Sequence, residues 1–269
     1  MTIQLIATDL DGTFLTDDKK FDQTLFRRVL SQLKRQNIAF AIATGVHQER
    51  INVIFKDFLN EPINFVTNNG ARVIKSDGSV LFSKALSLKT LAHIQDFLVN
   101  YDVHPDRGLV FSTDETAYLP RYANIKNSER YFKFFKNIVR FENVSDIPEP
   151  IYKVTMSWQN FDESQFYRDA RLALGDAVHI TETGTGAIDI IAAGVNKASA
   201  LNMLASSYGV NMVDVVAFGD GGNDVEMLCA VGQPFKMPNA RITGDYQTAV
   251  DDNNNSGVLK TIQKITHLS

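Results

Sequence analysis

Short apolar runs separated by amphipathic stretches constrain this chain most, because that alternation favours a mostly parallel sheet covered by helices. Ile3, Leu5, Ile6 and Ala7 form the first run, and a helical pattern through Leu25, Val29, Leu30 and Leu33 follows. Ala39-Phe40-Ala41-Ile42-Ala43 reads as a second strand, His47 to Leu59 as a second helix and Phe65-Val66-Thr67 as a third strand. Asn68-Asn69-Gly70 signals a turn, and Arg72-Val73-Ile74 with Val80-Leu81-Phe82 a hairpin across Asp77-Gly78.

Between about Leu86 and Ile190 the alternation breaks. Two amphipathic stretches, Leu88 to Val99 and Phe161 to Leu174, flank aromatic strand-like runs such as Val154-Thr155-Met156-Ser157-Trp158. This is the pattern of a separate α+β unit inserted into the first domain. After Gly194 the alternation resumes with a helix from Lys197 to Tyr208, a strand from Val213 to Phe218 and a helix from about Asp224. Gly232 to Phe235 and Thr248 to Val250 supply short strands, and Val258 to Ile265 a last helix. The expected fold class is α/β: a Rossmann-like, mostly parallel sheet core over residues 1-84 and 190-269, with an inserted α+β domain over 85-189. There is no internal repeat.

Composition removes several classes of function. The 269 residues carry 27 Lys plus Arg against 31 Asp plus Glu, a net charge of −4 with no basic block, which argues against nucleic acid. No apolar run approaches membrane-spanning length and Met1 to Gln4 open no secretory pattern, so the expectation is a soluble, cytoplasmic protein with no membrane partner. Cys229 is the single cysteine, which excludes an internal disulfide; following Met227-Leu228, it is expected in packed core.

In an open parallel sheet, ligands bind beyond the carboxyl ends of the strands, and three such ends carry suitable groups. The first offers Asp9-Leu10-Asp11-Gly12-Thr13. In extended chain, side chains two apart share a face, so both carboxylates can serve one centre; a solvated turn fits the same residues. The second offers Thr44-Gly45, a hydroxyl beside a glycine that lets backbone N–H groups approach an anion, or else a helix cap. The third is Gly219-Asp220-Gly221-Gly222-Asn223-Asp224, and Lys197 opens a helix. Asp9, Asp11, Asp220 and Asp224 beside a dianionic substrate need a divalent cation, and hard oxygen ligands favour Mg²⁺. Lys197 supplies a compact charge for phosphate, although a surface role is the default for an isolated lysine.

The order and spacing of these four segments resemble the haloacid-dehalogenase superfamily of phosphatases, over nearly the whole chain. The large insertion looks like the α+β cap of the Cof-type branch, which Asn69-Gly70-Ala71 also fits. Gly184-Thr185-Gly186-Ala187-Ile188-Asp189 and Asp251-Asp252-Asn253-Asn254 resemble bacterial sugar-phosphate phosphatases of that group. The resemblance implies a Mg²⁺-dependent phosphomonoester hydrolase. In it Asp9 is the nucleophile, Asp11 the proton donor and then base, and Leu10 (backbone), Thr44, Gly45, Lys197 and Asn223 hold phosphoryl oxygens. It further implies that the metal is bound by Asp9, the Asp11 carbonyl and Asp220, with Asp224 completing or supporting the shell.

Val46-His47 departs from the family's common Arg after Thr-Gly, which puts leaving-group recognition in question; His47 either reaches substrate or is a partly exposed helix-start histidine. Asn69, Thr185 and Asp189 are further candidates for substrate specificity, although a hairpin explains Gly184 to Asp189 nearly as well. Tyr118, Tyr122, Tyr131 and Trp158 either stack on a sugar or form cap core. The charge run Asp17-Asp18-Lys19-Lys20 reads as solvated. The expected partner is a small phosphorylated metabolite, a sugar phosphate, handled by a monomer. A phosphotransferase or mutase would use the same aspartyl-phosphate, and a non-catalytic phospholigand-binding protein would show a damaged acid set, which this chain does not.

Overall fold

The computed structural model of the chain describes residues 2–123, 128–183 and 186–267. Its first half runs β1 (Leu5–Thr8), α1 (Gln23–Arg35), β2 (Ala39–Ala43), α2 (Gln48–Ile54), β3 (Ile63–Thr67), β4 (Arg72–Ile74), β5 (Val80–Ser83), α3 (Leu88–Asn100), β6 (Gly108–Ser112) and β7 (Thr116–Pro120). There follow β8 (Asn137–Phe141), β9 (Lys153–Ser157), α4 (Glu163–Leu174), β10 (Val178–Thr183), β11 (Ala187–Ala192), α5 (Lys197–Ser207), β12 (Val215–Gly219), α6 (Val225–Ala230), β13 (Gln233–Lys236), β14 (Gln247–Thr248) and α7 (Gly257–Ile265). These fall into two compact units, one of Met1–Gly45, Asp57–Phe82 and Asn196–Ser269, the other of Val46–Lys56 and Ser83–Val195.

The first unit is built on one sheet of order β14-β13-β12-β1-β2-β3-β4-β5. It is parallel from β14 to β3 and turns antiparallel at β4. Leu5, Ile6, Ala7 and Thr8 are wholly buried, as a strand covered on both faces must be, and this is why β1 reads as an unbroken apolar run. Leu5 and Ala7 pack with Leu201 and Leu204 of α5 and Leu228 of α6. Phe40 of β2 instead joins Phe14 and Phe26 in an aromatic cluster, beneath an α1 that buries Phe26, Val29 and Leu33. Asp22 caps α1 through the Leu25 N–H at 2.8 Å, and Asn196 caps α5 through the Ser199 N–H at 2.7 Å. Because β1 pairs with both β2 and β12, the strand order reverses there, which makes the carboxyl end of β1 the switch-point crevice.

The second unit holds a sheet of order β10-β11-β9-β6-β7-β8, antiparallel except for the β7/β8 pair. Tyr118, Tyr131 and Trp158 are buried in it, with the Trp158 indole donating to the Val103 carbonyl at 2.9 Å; Tyr122 is the exposed one. α2 packs with this unit, because Glu49 N–H donates to the Asp114 carbonyl at 3.2 Å and Lys136 reaches the Glu49 carboxylate at 3.2 Å. The helix stops at Ile54, shorter than its periodicity suggests, and Lys56–Phe58 make a single tighter turn. Cys229, expected in packed core, is exposed. Among the described residues no helix is long and apolar enough to cross a membrane.

Candidate active site

The strand-end candidates of the first unit converge beyond β1, β2, β3 and β12. β1 stops at Thr8, and the Leu10 carbonyl then accepts from the N–H groups of Thr13, Phe14 and Leu15 at 3.3, 3.0 and 2.9 Å, which folds the acidic segment into a tight turn. Gly12 has φ +79°, and a Cβ on it would lie 2.5 Å from Asp220 Oδ2, so glycine alone lets the turn pass so close. The Thr13 hydroxyl donates to Asp220 Oδ1 at 2.8 Å, tying that turn to the end of β12. Since the chain is no longer extended here, the two carboxylates do not share a partner. Asp9 is buried against Lys197, whereas Asp11 is 41% exposed and meets Lys19 at 2.6 Å.

Lys197 is the pivot of the buried part. Held at the first turn of α5 and 1% exposed, it donates to Asp9 Oδ1 and to Asp224 Oδ1, both at 2.6 Å. The other Asp224 oxygen accepts the N–H groups of Asp220 and Gly221 at 3.0 Å each, so this carboxylate anchors both the lysine and the loop. Carboxylate oxygens of Asp9, Asp220 and Asp224 lie within 4.8 Å of one another. At an effective dielectric of about 20, like charges that close repel by roughly 3 kcal/mol.

The titration behaviour reflects this crowding. Burial pushes the Asp9 carboxyl well above the usual carboxylate range; Lys197 opposes the rise, while Asp224 and Asp220 add to it. Asp220 is pushed up to about 6 by burial and by Asp224, against the Thr13 hydrogen bond. Burial pulls on Lys197 in the direction of neutrality, but Asp224 and Asp9 outweigh it, so the ammonium is held charged.

One lysine against three carboxylates leaves excess negative charge. Asp9 Oδ2 and Asp220 Oδ2 have no hydrogen-bond partner among the described residues, and these hard oxygens suit a divalent cation such as Mg²⁺. On the opposite flank, the Thr44 N–H donates to the Val66 carbonyl at 2.8 Å and its carbonyl accepts from Asn69 N–H at 2.9 Å. Asn223 Nδ2 donates to Asn69 Oδ1 at 3.1 Å, and a Cβ on Gly45 would stand 3.0 Å from that oxygen. Thr44, Gly45, Asn69 and Asn223 thus form one connected rim.

The remaining sequence candidates lie in the second unit. His47 is buried, its ring stacked on Phe135 at 4.0 Å and its Nε2 2.7 Å from the Phe134 carbonyl. Burial lowers its pKa to about 4 despite that carbonyl. Asp189 of β11 is buried, with Lys153 at 3.0 Å and the Thr155 hydroxyl at 2.6 Å. Thr185 lies outside the described residues. Sequence reasoning passed over two neighbours of the acidic turn. Asn239 Nδ2 donates to the Gly12 carbonyl at 2.8 Å, and Lys19 pairs with Asp11; the only signal for the latter was a lysine eight residues beyond an acid in one loop.

Comparison with known proteins identifies relatives of the whole chain. The model of a family described as haloacid dehalogenase-like hydrolases matches residues 6–262. An Escherichia coli protein named 5-amino-6-(5-phospho-D-ribitylamino)uracil phosphatase YbjI is 33% identical over 98% of this chain and 97% of its own length. Among solved structures, SMU.1108c of Streptococcus mutans superposes with a TM-score of 0.89 at 28% identity, over 99% of this chain and 100% of that one. The subclass IIB sugar phosphatase BT4131 shares the fold at 17% identity, with a TM-score of 0.79 over 98% of this chain and 99% of that one.

Proposed function

Because the chain belongs to the haloacid dehalogenase-like hydrolases, in a Cof-type branch whose relatives are named phosphatases, we propose that it hydrolyses small phosphomonoesters of sugars or polyols at Asp9. The observation that carries this reading is the Asp9 carboxylate, one oxygen gripped by a buried, charged Lys197 and the other without a hydrogen-bond partner among the described residues, two residues from a second acid. Asp9 attacks phosphorus and forms an aspartyl-phosphate while the P–O bond to the alcohol breaks. Asp11 gives its proton to the departing alkoxide oxygen. The resulting Asp11 carboxylate then takes a proton from water, which attacks the same phosphorus, releases inorganic phosphate and restores Asp9. Lys197, Thr44, Asn223 and the amides of Leu10 and Gly45 hold the phosphoryl oxygens, a task that is mainly positioning and charge stabilisation.

Asp9, Asp220 and the Asp11 carbonyl would hold Mg²⁺, with Asp224 fixing the loop behind them. Bound there, Mg²⁺ offsets the carboxylate repulsion and the charge on the phosphoryl group. The ribityl phosphate in the E. coli relative's name supports a primary phosphate ester on a polyhydroxy chain as the substrate class. We assign choice of the alcohol portion to the second unit and expect a cytoplasmic monomer, checked by light scattering.

The test is release of phosphate by purified protein with Mg²⁺ from a panel of hexose, pentose and pentitol phosphates. Turnover concentrated on one sugar- or polyol-phosphate class supports the reading; no release from any member overturns it. Phosphate appearing on an acceptor instead of in solution would make the enzyme a phosphotransferase.

A further inference from the structure

The Asp11 carboxylate has one hydrogen-bond partner among the described residues, Lys19 Nζ at 2.6 Å from Oδ1. With the two side chains 41% and 46% exposed, such a pair adds little to stability, so its placement calls for another account. The backbone around Lys19 is unusually well fixed for a surface lysine. Lys19 has φ +61°, the left-handed region that a non-glycine residue enters only where its surroundings hold it. The hold is visible on both sides. Thr16 N–H donates to the Lys20 carbonyl and Lys19 N–H to the Thr16 carbonyl, each at 2.8 Å, closing a tight turn. Asn253 and Asn254 donate to the two Asp17 oxygens at 3.0 and 3.1 Å, and the Asn254 side-chain oxygen accepts Asp17 N–H at 3.0 Å. Beyond the turn, Phe21 packs on Phe14, Phe26 and Phe58, and Asp22 caps α1.

From this we infer that Lys19 is a positioning residue, carried by the Asn253–Asn254–Asp17 clamp, that fixes the side chain of Asp11 for transfer of the leaving-group proton. With Oδ1 tethered by the ammonium, Oδ2 is the oxygen left to carry the proton. The inference rests on the role proposed for Asp11 above.

Two substrates separate a positioning role from others, because p-nitrophenolate departs without protonation while an alkoxide does not. In Lys19→Met, kcat/KM for a pentitol phosphate should fall about tenfold, a part of the 10²–10⁴ that general-acid catalysis supplies. For p-nitrophenyl phosphate the fall should stay within about twofold, as expected where no proton is needed. Lys19→Arg should restore most of the loss. Asp17→Ala, which frees the turn but keeps the lysine, should give the same substrate-selective loss in smaller degree. Equal losses on both substrates, or none, overturn the inference. An Asp11→Asn enzyme that keeps full rate on the pentitol phosphate would instead reject the role of Asp11 itself. Lost pentitol-phosphate turnover in Asp11→Asn beside an unaffected Lys19→Met rejects the Lys19 inference alone.

Discussion

Two lysines, the half-buried Lys153 and the buried Lys197, each grip aspartate, and they differ in how fully the carboxylate oxygens around them are met. In the second unit Lys153 meets Asp189 at 3.0 Å, with Thr155 supplying a hydroxyl to the other carboxylate oxygen. In the first unit Lys197 faces Asp9 and Asp224 at 2.6 Å each, with Asp220 in the same cluster. The first arrangement is satisfied as it stands. The second carries negative charge in excess, which adds to the burial that raises the pKa of Asp9 and Asp220, and among the described residues one oxygen on each has no hydrogen bond. Taking charge out of water costs desolvation, so a carboxylate whose oxygens are both met is a device of architecture, whereas a cluster with oxygens to spare is retained for what it binds or does.

The largest effect should come from breaking the unbalanced site at its nucleophile. Asp9→Asn should lower kcat by about 10⁴-fold or more, the scale seen when a nucleophile is removed. Its melting temperature should hold or rise, since one of three crowded carboxylates is neutralised. Breaking the Lys153–Asp189 pair should do the reverse. Asp189→Ala removes the carboxylate that both Lys153 and Thr155 meet, and the loss of those two charge-assisted hydrogen bonds should cost about 2–3 kcal/mol in denaturant unfolding. Lys153→Met combined with Asp189→Leu should recover much of that loss, and strictly additive losses would reject the pairing as the cause.

A pH experiment sharpens the contrast further. The folded protein holds His47 neutral down to about pH 4, whereas the unfolded chain takes a proton near the ordinary value of 6.5. The unfolded state therefore binds more protons between those values, and stability is lost as pH falls from 6.5 to 4, by about 3 kcal/mol. Urea unfolding of His47→Phe should lack that component. Asp220 has the opposite sign. Its folded pKa of about 6 lies above the ordinary 3.8, so the metal-free fold gains stability from it at low pH and loses that gain as pH rises through 6. Protons and a divalent cation compete for this carboxylate, so the stabilisation by Mg²⁺ should grow as pH rises through 6. At a hundredfold excess over Kd it amounts to about 2.7 kcal/mol. Asp220→Asn should abolish most of it.

What could be read from sequence divides along the same line. β1, with Leu5, Ile6 and Ala7 buried on both faces, had to appear as an apolar run, and the acids at its end and at the end of β12 follow from where parallel strands present ligands. Lys197 was visible because it begins a helix in the right order. Lys19 was not, since its reach to Asp11 depends on a left-handed turn clamped from residues more than 230 positions away. Asp189 showed as a polar residue near a turn, but its lysine partner sits on a neighbouring strand that only the register of β9 with β11 identifies. Cys229 follows Met227 and Leu228, both buried, yet successive helical residues point about 100° apart, and a six-residue helix has one buried side.

Asp9 as the phosphoryl acceptor can be tested directly. Asp11→Asn enzyme turning over p-nitrophenyl phosphate with Mg²⁺ can form the intermediate without acid assistance but lacks the base that would hydrolyse it. Acid quench followed by peptide mass spectrometry should then find a phosphoryl group on Asp9. Phosphate release with Asp9 unmodified throughout, or a phosphoryl group on any other residue, would contradict it.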